Sequence, residues 1–599
     1  MWPDNQAGTE TAEHIAICVG RCSTENTLAR EAEVCSVEDI EKLSGYELES
    51  LGRIGKPLYV AEGDSHYKVL DWNNALEILI ENWRKSDVNR SFFYTSGRSS
   101  MEAGFLVQLL ARQWGTNNVN NCSYFCHQAS GTALTQSIGT SAATIQLEDL
   151  DGADLIFLIG ANPASNHPRF MKVLLNVRRR GGKVIVINPA REPGLVKFSV
   201  PSDFRSLLFG SEIASDFVQP HIGGDIALLK GIAKGLFQMA EGRPEALHKT
   251  FIENSTENFA DYRRDIDATP WEELETSSGL SREIMQRLAR HYADSENTVF
   301  TWAMGITHHK HGVQNVQSIV NLALLRGMVG KKNAGLLPLR GHSNVQGIGS
   351  IGVTPALKQA VMDNLQSGYQ IVLPTKEGMD TLSCVETAWN NKIDLAWNLG
   401  GNLYGSNPDS KFAQESLSKI DFILYMNTTL NSGHFKGRGK TTLILPVLAR
   451  DEEPEPTTQE SMFSFIRLSD GGPARYAGPW SEVKVIAEIG RRVLPPGSVP
   501  WNELCHTGNI RQMIANIVPG LEKIGDIDKT REEFQVGGRI LHRPKFPRPN
   551  GKAVFQICRL PATPTGQPEK KNRFRMMTVR SEGQFNTVVY DMDDKYRGV

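Results

Sequence analysis

The chain has 599 residues, 40% of them hydrophobic, enough to bury a large core and to divide into several domains. Its 65 basic and 67 acidic residues leave a formal charge of −2, which excludes the broad basic field that draws proteins to nucleic acid or anionic membrane. Eight cysteines are too few for a disulfide scaffold, no apolar run approaches the roughly 20 residues of a membrane span, and the start MWPDNQAGTETAEH lacks a signal-peptide pattern, so a cytoplasmic location is expected.

In chain order, Cys18 and Cys22 come first, in a polar stretch. At 121–139, NCSYFCHQASGTALTQSIG sets Cys122 and Cys126 at the mouth of a Gly/Ser-rich turn, with His127 straight after the second. Packing, nucleophilic attack and metal ligation all suit a cysteine in such a turn. ADLIFLIGANP (153–163), HPRFMKVLLNVRRRGG (167–182) and KVIVINPAR (183–191) predict a β-α-β unit, since two apolar runs ending in Gly or Asn flank a stretch of helical spacing. EIMQRLARHYA and VQNVQSIVNLALLRGMVG predict helices. IDLAWNLGGNLYGSNPD (393–409) and the segment 419–446 repeat the strand-and-turn pattern, so two doubly wound α/β lobes are expected. From about 494, PPGSVP, HRPKFPRPNG and LPATPTGQPEKKN predict a connector without regular structure. NRFRMMTVRSEGQFNTVVY then predicts the first part of a β-rich unit.

Ligands of doubly wound sheets bind at the carboxyl ends of strands, where backbone N–H groups receive phosphates. Such ends fall at Gly160, Asn162, Ser165 and His167; at Asn188 and Arg191; at Gly224 and Asp225; and, in the second set, at Gly400, Asn402 and Thr428. Each taken singly also fits an ordinary turn; together they point to a phosphate-bearing cofactor shared by two lobes. Two other motifs fail. Gly347-Ile-Gly349-Ser-Ile-Gly352 follows RGHSNVQ rather than an apolar strand, so it is not a dinucleotide fingerprint. The stretch from His434 to Thr441 has histidine where a P-loop needs its first glycine, and a strand follows it.

Read together and in order, CHQASGTALTQSIG, DLDGADLIFLIGANPASNHPR, KVIVINPAR, GGDIALLKGIAKG, GITHHKHGVQNVQ and LLPLRGHSNVQGIGSIG resemble the molybdopterin-guanine-dinucleotide oxidoreductases. The likeness is nearest to the formate-dehydrogenase-like α-subunit branch, which includes the YdeP-type acid-resistance oxidoreductases. The resemblance covers nearly the whole chain. It implies a bis(molybdopterin guanine dinucleotide) centre with molybdenum or tungsten ligated by Cys126, His127 carrying the proton, and Arg340 gripping a small carboxylate such as formate. It adds Gly305, Asn344, Gln346 and Gly347 to the cofactor-binding set. A soft thiolate beside a redox metal, a histidine near neutrality and a fixed guanidinium fork suit those roles chemically, and the fork of Arg340 would equally grip a cofactor phosphate.

The resemblance also implies a 4Fe-4S cluster and an electron-accepting partner subunit. The cluster's Cys-x-x-Cys pair would precede a Trp-Pro step like Trp2-Pro3, so the chain is expected to be cut at both ends, with Cys18 or Cys22 as a remnant cluster ligand. The expected division is 1–57, remnant of the iron-sulfur domain; 58–120 with 345–495, one discontinuous cofactor-binding lobe; 121–344, the lobe carrying Cys126; 496–570, connector; and 571–599, start of a C-terminal molybdopterin-dinucleotide-binding domain. A truncated or non-catalytic structural subunit of the same fold is the alternative.

Overall fold

The computed structural model describes residues 36–561, 576–581, 584, 585, 588 and 589. Two sheets organise it. The first has seven strands in the order Lys68–Val69, Leu58–Val60, Thr441–Pro446, Phe422–Asn427, Leu395–Leu399, Ser91–Thr95 and Val119–Asn121. Its last five run parallel; Leu58–Val60 joins them antiparallel to Thr441–Pro446, and Lys68–Val69, antiparallel to Leu58–Val60, forms one edge. The second sheet is wholly parallel, in the order Gly335–Pro338, Thr298–Trp302, Leu155–Ile159, Lys183–Ile187 and Asp216–Val218.

These strands read as continuous apolar runs because both sheet faces are covered. Leu155, Phe157 and Ile159 enter one core and Ile156 and Leu158 another, on the opposite face. Phe93 and Trp397 face one core of the larger sheet, and Phe92, Tyr94 and Ala396 its other. Helices supply the covering layers. Met101–Trp114 starts where the Ser100 side chain accepts the Ala103 N–H and stops at Gly115, whose φ of 118° is left-handed.

Strand order fixes where ligands can enter. Outward from the neighbouring pair Leu395–Leu399 and Ser91–Thr95, the parallel strands are added to both sides in chain order, so that pair is a topological switch point. Leu155–Ile159 and Thr298–Trp302 form the same kind of switch in the smaller sheet.

One expectation needs correction. The stretch after 494 is not free of regular structure: Thr507–Ile517 is a helix whose Ile510, Met513, Ile514 and Ile517 bury in the core of the larger sheet. No proline lies inside that helix, and its one glycine, Gly508, falls in the first turn. Past it the chain crosses to the smaller sheet, where Leu541, Phe546 and Phe555 bury and Ala553–Val554 pairs with Thr256–Glu257. Of the 571–599 segment, the described part includes Gln584–Phe585 paired antiparallel with Val588–Val589. Among the described residues no helix is long and apolar enough to cross a membrane.

Candidate active site and cofactor cradles

A cavity of about 760 Å³ opens at the switch point of the larger sheet, lined by Arg98, Ser99, His342, Gly400, Asn402, Thr428, Arg450 and Glu482 among others. Gly400 makes the turn with a φ of 64°. Asn402 caps the next turn: its Oδ1 accepts the Gly405 N–H at 2.8 Å and its Nδ2 donates to Ser432 Oγ at 3.1 Å. A second cavity, of about 400 Å³, lies at the switch point of the smaller sheet and is lined by Gly160, Asn162, Asn188, Asp225, Met304, Gly305, His308, His309 and Arg580.

Both amide atoms of Asn162 and the Ser165 hydroxyl are buried without a hydrogen-bond partner. Such groups cost about 1–3 kcal/mol each unless a ligand satisfies them, so this cradle is built for a polar occupant. Gly160 sits at φ 55°, and a Cβ there would lie 2.8 Å from the Gly305 carbonyl carbon. Gly160→Ala is therefore expected to destabilise the chain by about 1–2 kcal/mol or more, read as a lower urea midpoint.

Cys126 stands beside the second cavity. It closes the short 3-10 turn Cys122–Phe125 and is buried, with Sγ 3.7 Å from Met304 Sδ. Thr307 Oγ1 donates to the Cys126 carbonyl at 2.9 Å, and His308 Nε2 donates to the Phe125 carbonyl at 2.7 Å. Burial pushes the thiol above its ordinary range, and the nearby Arg340 and Arg580 offset only part of that. In the folded chain desolvation outweighs the two guanidinium groups. A bound metal would reverse the balance, since coordination deprotonates a thiol outright. Among the described residues no group of three or more His, Cys, Asp or Glu is placed to hold a metal ion. A metal at Cys126 therefore needs the rest of its ligands from a cofactor.

His127 is fully enclosed. Its Nε2–H donates to the Leu339 carbonyl at 2.8 Å, and Nδ1 accepts from Ser130 Oγ at 3.0 Å, which in turn accepts the Trp302 indole N–H at 2.9 Å. Burial first, then Arg340, lowers its pKa to about 3. Arg340 is half-buried and donates to the Ser141 carbonyl at 3.0 Å, while its Nε is enclosed without a partner. His167 Nε2 donates to the Arg340 backbone carbonyl at 2.9 Å.

The remaining expected residues divide. Gly400, Asn402 and Thr428 line the larger cavity, and Asn162, Asn188, Asp225 and Gly305 the smaller. Arg191 lines a separate concavity with Phe217 and Gln219. Asn344, Gln346 and Gly347 line neither cradle: Asn344 bridges the Ser99 carbonyl and the Glu460 N–H, and a Cβ on Gly347 would meet Asn344 Oδ1. Gly224 packs against the Ser277 carbonyl. Cys122 accepts the Gly97 N–H at 3.1 Å and is a buried packing residue, as read from sequence. Cys18 and Cys22 lie outside the described residues. Sequence reasoning missed Arg98, Arg450 and Glu482 in one cradle and Met304, His308 and Arg580 in the other. The histidine run in GITHHKHG was the one signal on offer.

Residues 53–436 match the family model described as molybdopterin oxidoreductase. The chain belongs to that family. It is 36% identical to Protein YdeP of Shigella flexneri over 100% of this chain and 81% of that protein. It is 26% identical to the F420-dependent formate dehydrogenase subunit alpha of Methanocaldococcus jannaschii, over 85% of this chain and 73% of that one. Among solved structures, acetylene hydratase from Pelobacter acetylenicus shares the fold, with a TM-score of 0.63 at 14% identity over 89% of this chain and 72% of that one. Membership of the family implies a molybdenum or tungsten pterin cofactor, for which the orphaned Asn162 and Ser165 groups and the single thiol of Cys126 are suited.

Proposed function

We propose that this chain is a formate-dehydrogenase-like oxidoreductase that holds molybdenum or tungsten at Cys126 between two molybdopterin guanine dinucleotides. One observation carries the reading: the buried Cys126 thiol, 3.7 Å from Met304 Sδ at the edge of the smaller cradle, sits within the field of Arg340 and Arg580. The centre, once bound, supplies the two-electron redox chemistry. The chain's own residues do the rest. Gly160, Asn162, Asn188 and Asp225 on one side, and Gly400, Asn402, Thr428 and Glu482 on the other, receive the phosphates, hydroxyls and base edges of the dinucleotides. Glu482 suits a base that presents N–H donors, because its carboxyl group lines the cavity beside Ser99.

Arg340 binds the substrate. A guanidinium with an unsatisfied Nε grips a small carboxylate, formate being the first candidate. We expect Arg340→Lys to raise KM for formate about tenfold or more while kcat falls less, because the lysine keeps the charge but loses the fork. Steady-state dye reduction checks it; an unchanged KM would remove Arg340 from the substrate site. A 4Fe-4S cluster, an electron-accepting partner subunit and a cytoplasmic setting complete the proposal on the strength of the formate dehydrogenase relatives. The reading as a whole is tested by molybdenum, tungsten and pterin content of the chain purified from a host that makes the cofactor. Protein with neither metal nor pterin would favour the structural-subunit alternative.

A further inference from the structure

We infer that His308, rather than His127, is the side chain that takes up and releases the proton beside Cys126. The inference rests on the proposed oxidation of a small substrate only for where the proton originates.

Tautomer geometry separates the two rings. His127 spends both nitrogens on the closed chain from Trp302 through Ser130 to the Leu339 carbonyl, and it is 1% exposed. It has no lone pair to offer. His308 has one. The Phe125 carbonyl can only accept, so Nε2 must carry the hydrogen of the 2.7 Å bond and Nδ1 is left as the base. Among the described residues Nδ1 has no hydrogen-bond partner. The ring lines the smaller cavity together with Met304, whose sulfur lies 3.7 Å from Cys126 Sγ. Its neighbour Thr307 pins the Cys126 carbonyl, so the base is held in register with the thiol by two consecutive hydrogen bonds from one turn.

The charged and titratable groups facing His308 are Arg580, His309 and the buried His127. Burial, Arg580 and His309 favour the neutral ring, and the Phe125 carbonyl favours the charged one. The ring therefore rests as a free base that can accept a proton and pass it through the cavity to water. The other histidines nearby are less suited. His309 bonds the Gly305 carbonyl and faces Asp225, and His167 bonds the Arg340 carbonyl and does not line this cavity.

The direct test is side-chain NMR of the ¹⁵N-histidine-labelled chain, with the two rings assigned by His308→Gln and His127→Gln. Through a titration from about pH 8 to pH 4, the His308 ring should be the Nε2–H tautomer and gain a proton, while His127 stays neutral throughout. A His127 ring that titrates while His308 does not overturns the assignment. The second arm uses the metal-loaded protein. His308→Ala should cut kcat on the order of 100-fold with KM little changed, lose the acid limb of the pH–rate profile, and recover with added imidazole. A variant that turns over like the parent overturns the assignment too. Absence of metal would count against the molybdenum reading alone, since the ring titrations need no cofactor.

Discussion

Replacement of Cys126 by alanine should abolish turnover and strip most of the metal from the protein, while leaving the fold intact. The side chain is small and its removal from a 3%-exposed site costs about 1 kcal/mol. Its chemical loss is far larger. Among the described residues no group of three or more cysteines, histidines or carboxylates is placed to hold the ion in its stead. Loss of an outer-shell partner typically costs 10–100-fold in metal affinity or activity, and loss of the ligand itself should exceed that. Cys126→Ser should recover little, because a hydroxyl is a hard donor that stays protonated near neutrality. Metal analysis and X-ray absorption of parent and variant side by side read the effect. Unchanged metal–sulfur coordination would remove Cys126 from the first coordination sphere.

The second large effect concerns pH. Glu453 is buried and Glu482, half-buried at the wall of the larger cavity, stands beside it, with the Glu482 N–H donating to Glu453 Oε1 at 3.1 Å and Glu453 Oε2 left without a partner. Burial raises Glu453 to about 7 and, with help from Glu453, raises Glu482 to about 8, from an ordinary value of 4.5. The sign follows from which state holds the protons. From pH 4.5 up to about 7 for Glu453 and about 8 for Glu482, the unfolded chain has released the proton and the folded chain has not, so their contribution to stability is full at the acid end and is lost as pH rises. At about 1.4 kcal/mol per pKa unit, the two carboxyls together account for a loss on the order of several kcal/mol. Urea unfolding of the cofactor-free chain at acid and at alkaline pH should show the loss, and Glu482→Gln should flatten the profile. A variant whose stability falls with pH as steeply as the parent's would contradict this account.

How much of this was legible in the sequence depends on how local each cause is. LIFLI and KVIVI announce buried parallel strands because every side chain is apolar and Gly or Asn ends the run. The turn that carries Cys126, the proposed metal ligand, was legible because it is a contiguous motif. The helix Thr507–Ile517 was hidden because window composition counts the flanking prolines together with NIRQMIANI, whose apolar spacing is helical. The antiparallel strand Leu58–Val60 could not be foreseen, since its partner Thr441–Pro446 lies far along the chain. Electrostatics was the least legible. A glycine- and serine-rich turn next to arginine suggests an acidic thiol, but the depth that pushes Cys126 the other way exists only after the two sheets and their helices close over it. The same depth turns His127 from an expected proton carrier into an enclosed ring, and it leaves His308, one residue among three in a polar run, facing the cavity.

The central claim is that two switch-point cradles, around Asn162 and around Asn402, hold one guanine dinucleotide each on a single metal at Cys126. The most direct measurement is to release and count nucleotide and metal from the same purified sample. The account predicts two guanine nucleotides for every molybdenum or tungsten, with both falling together in Cys126→Ala. Metal without guanine nucleotide, or adenine nucleotide in its place, would contradict it.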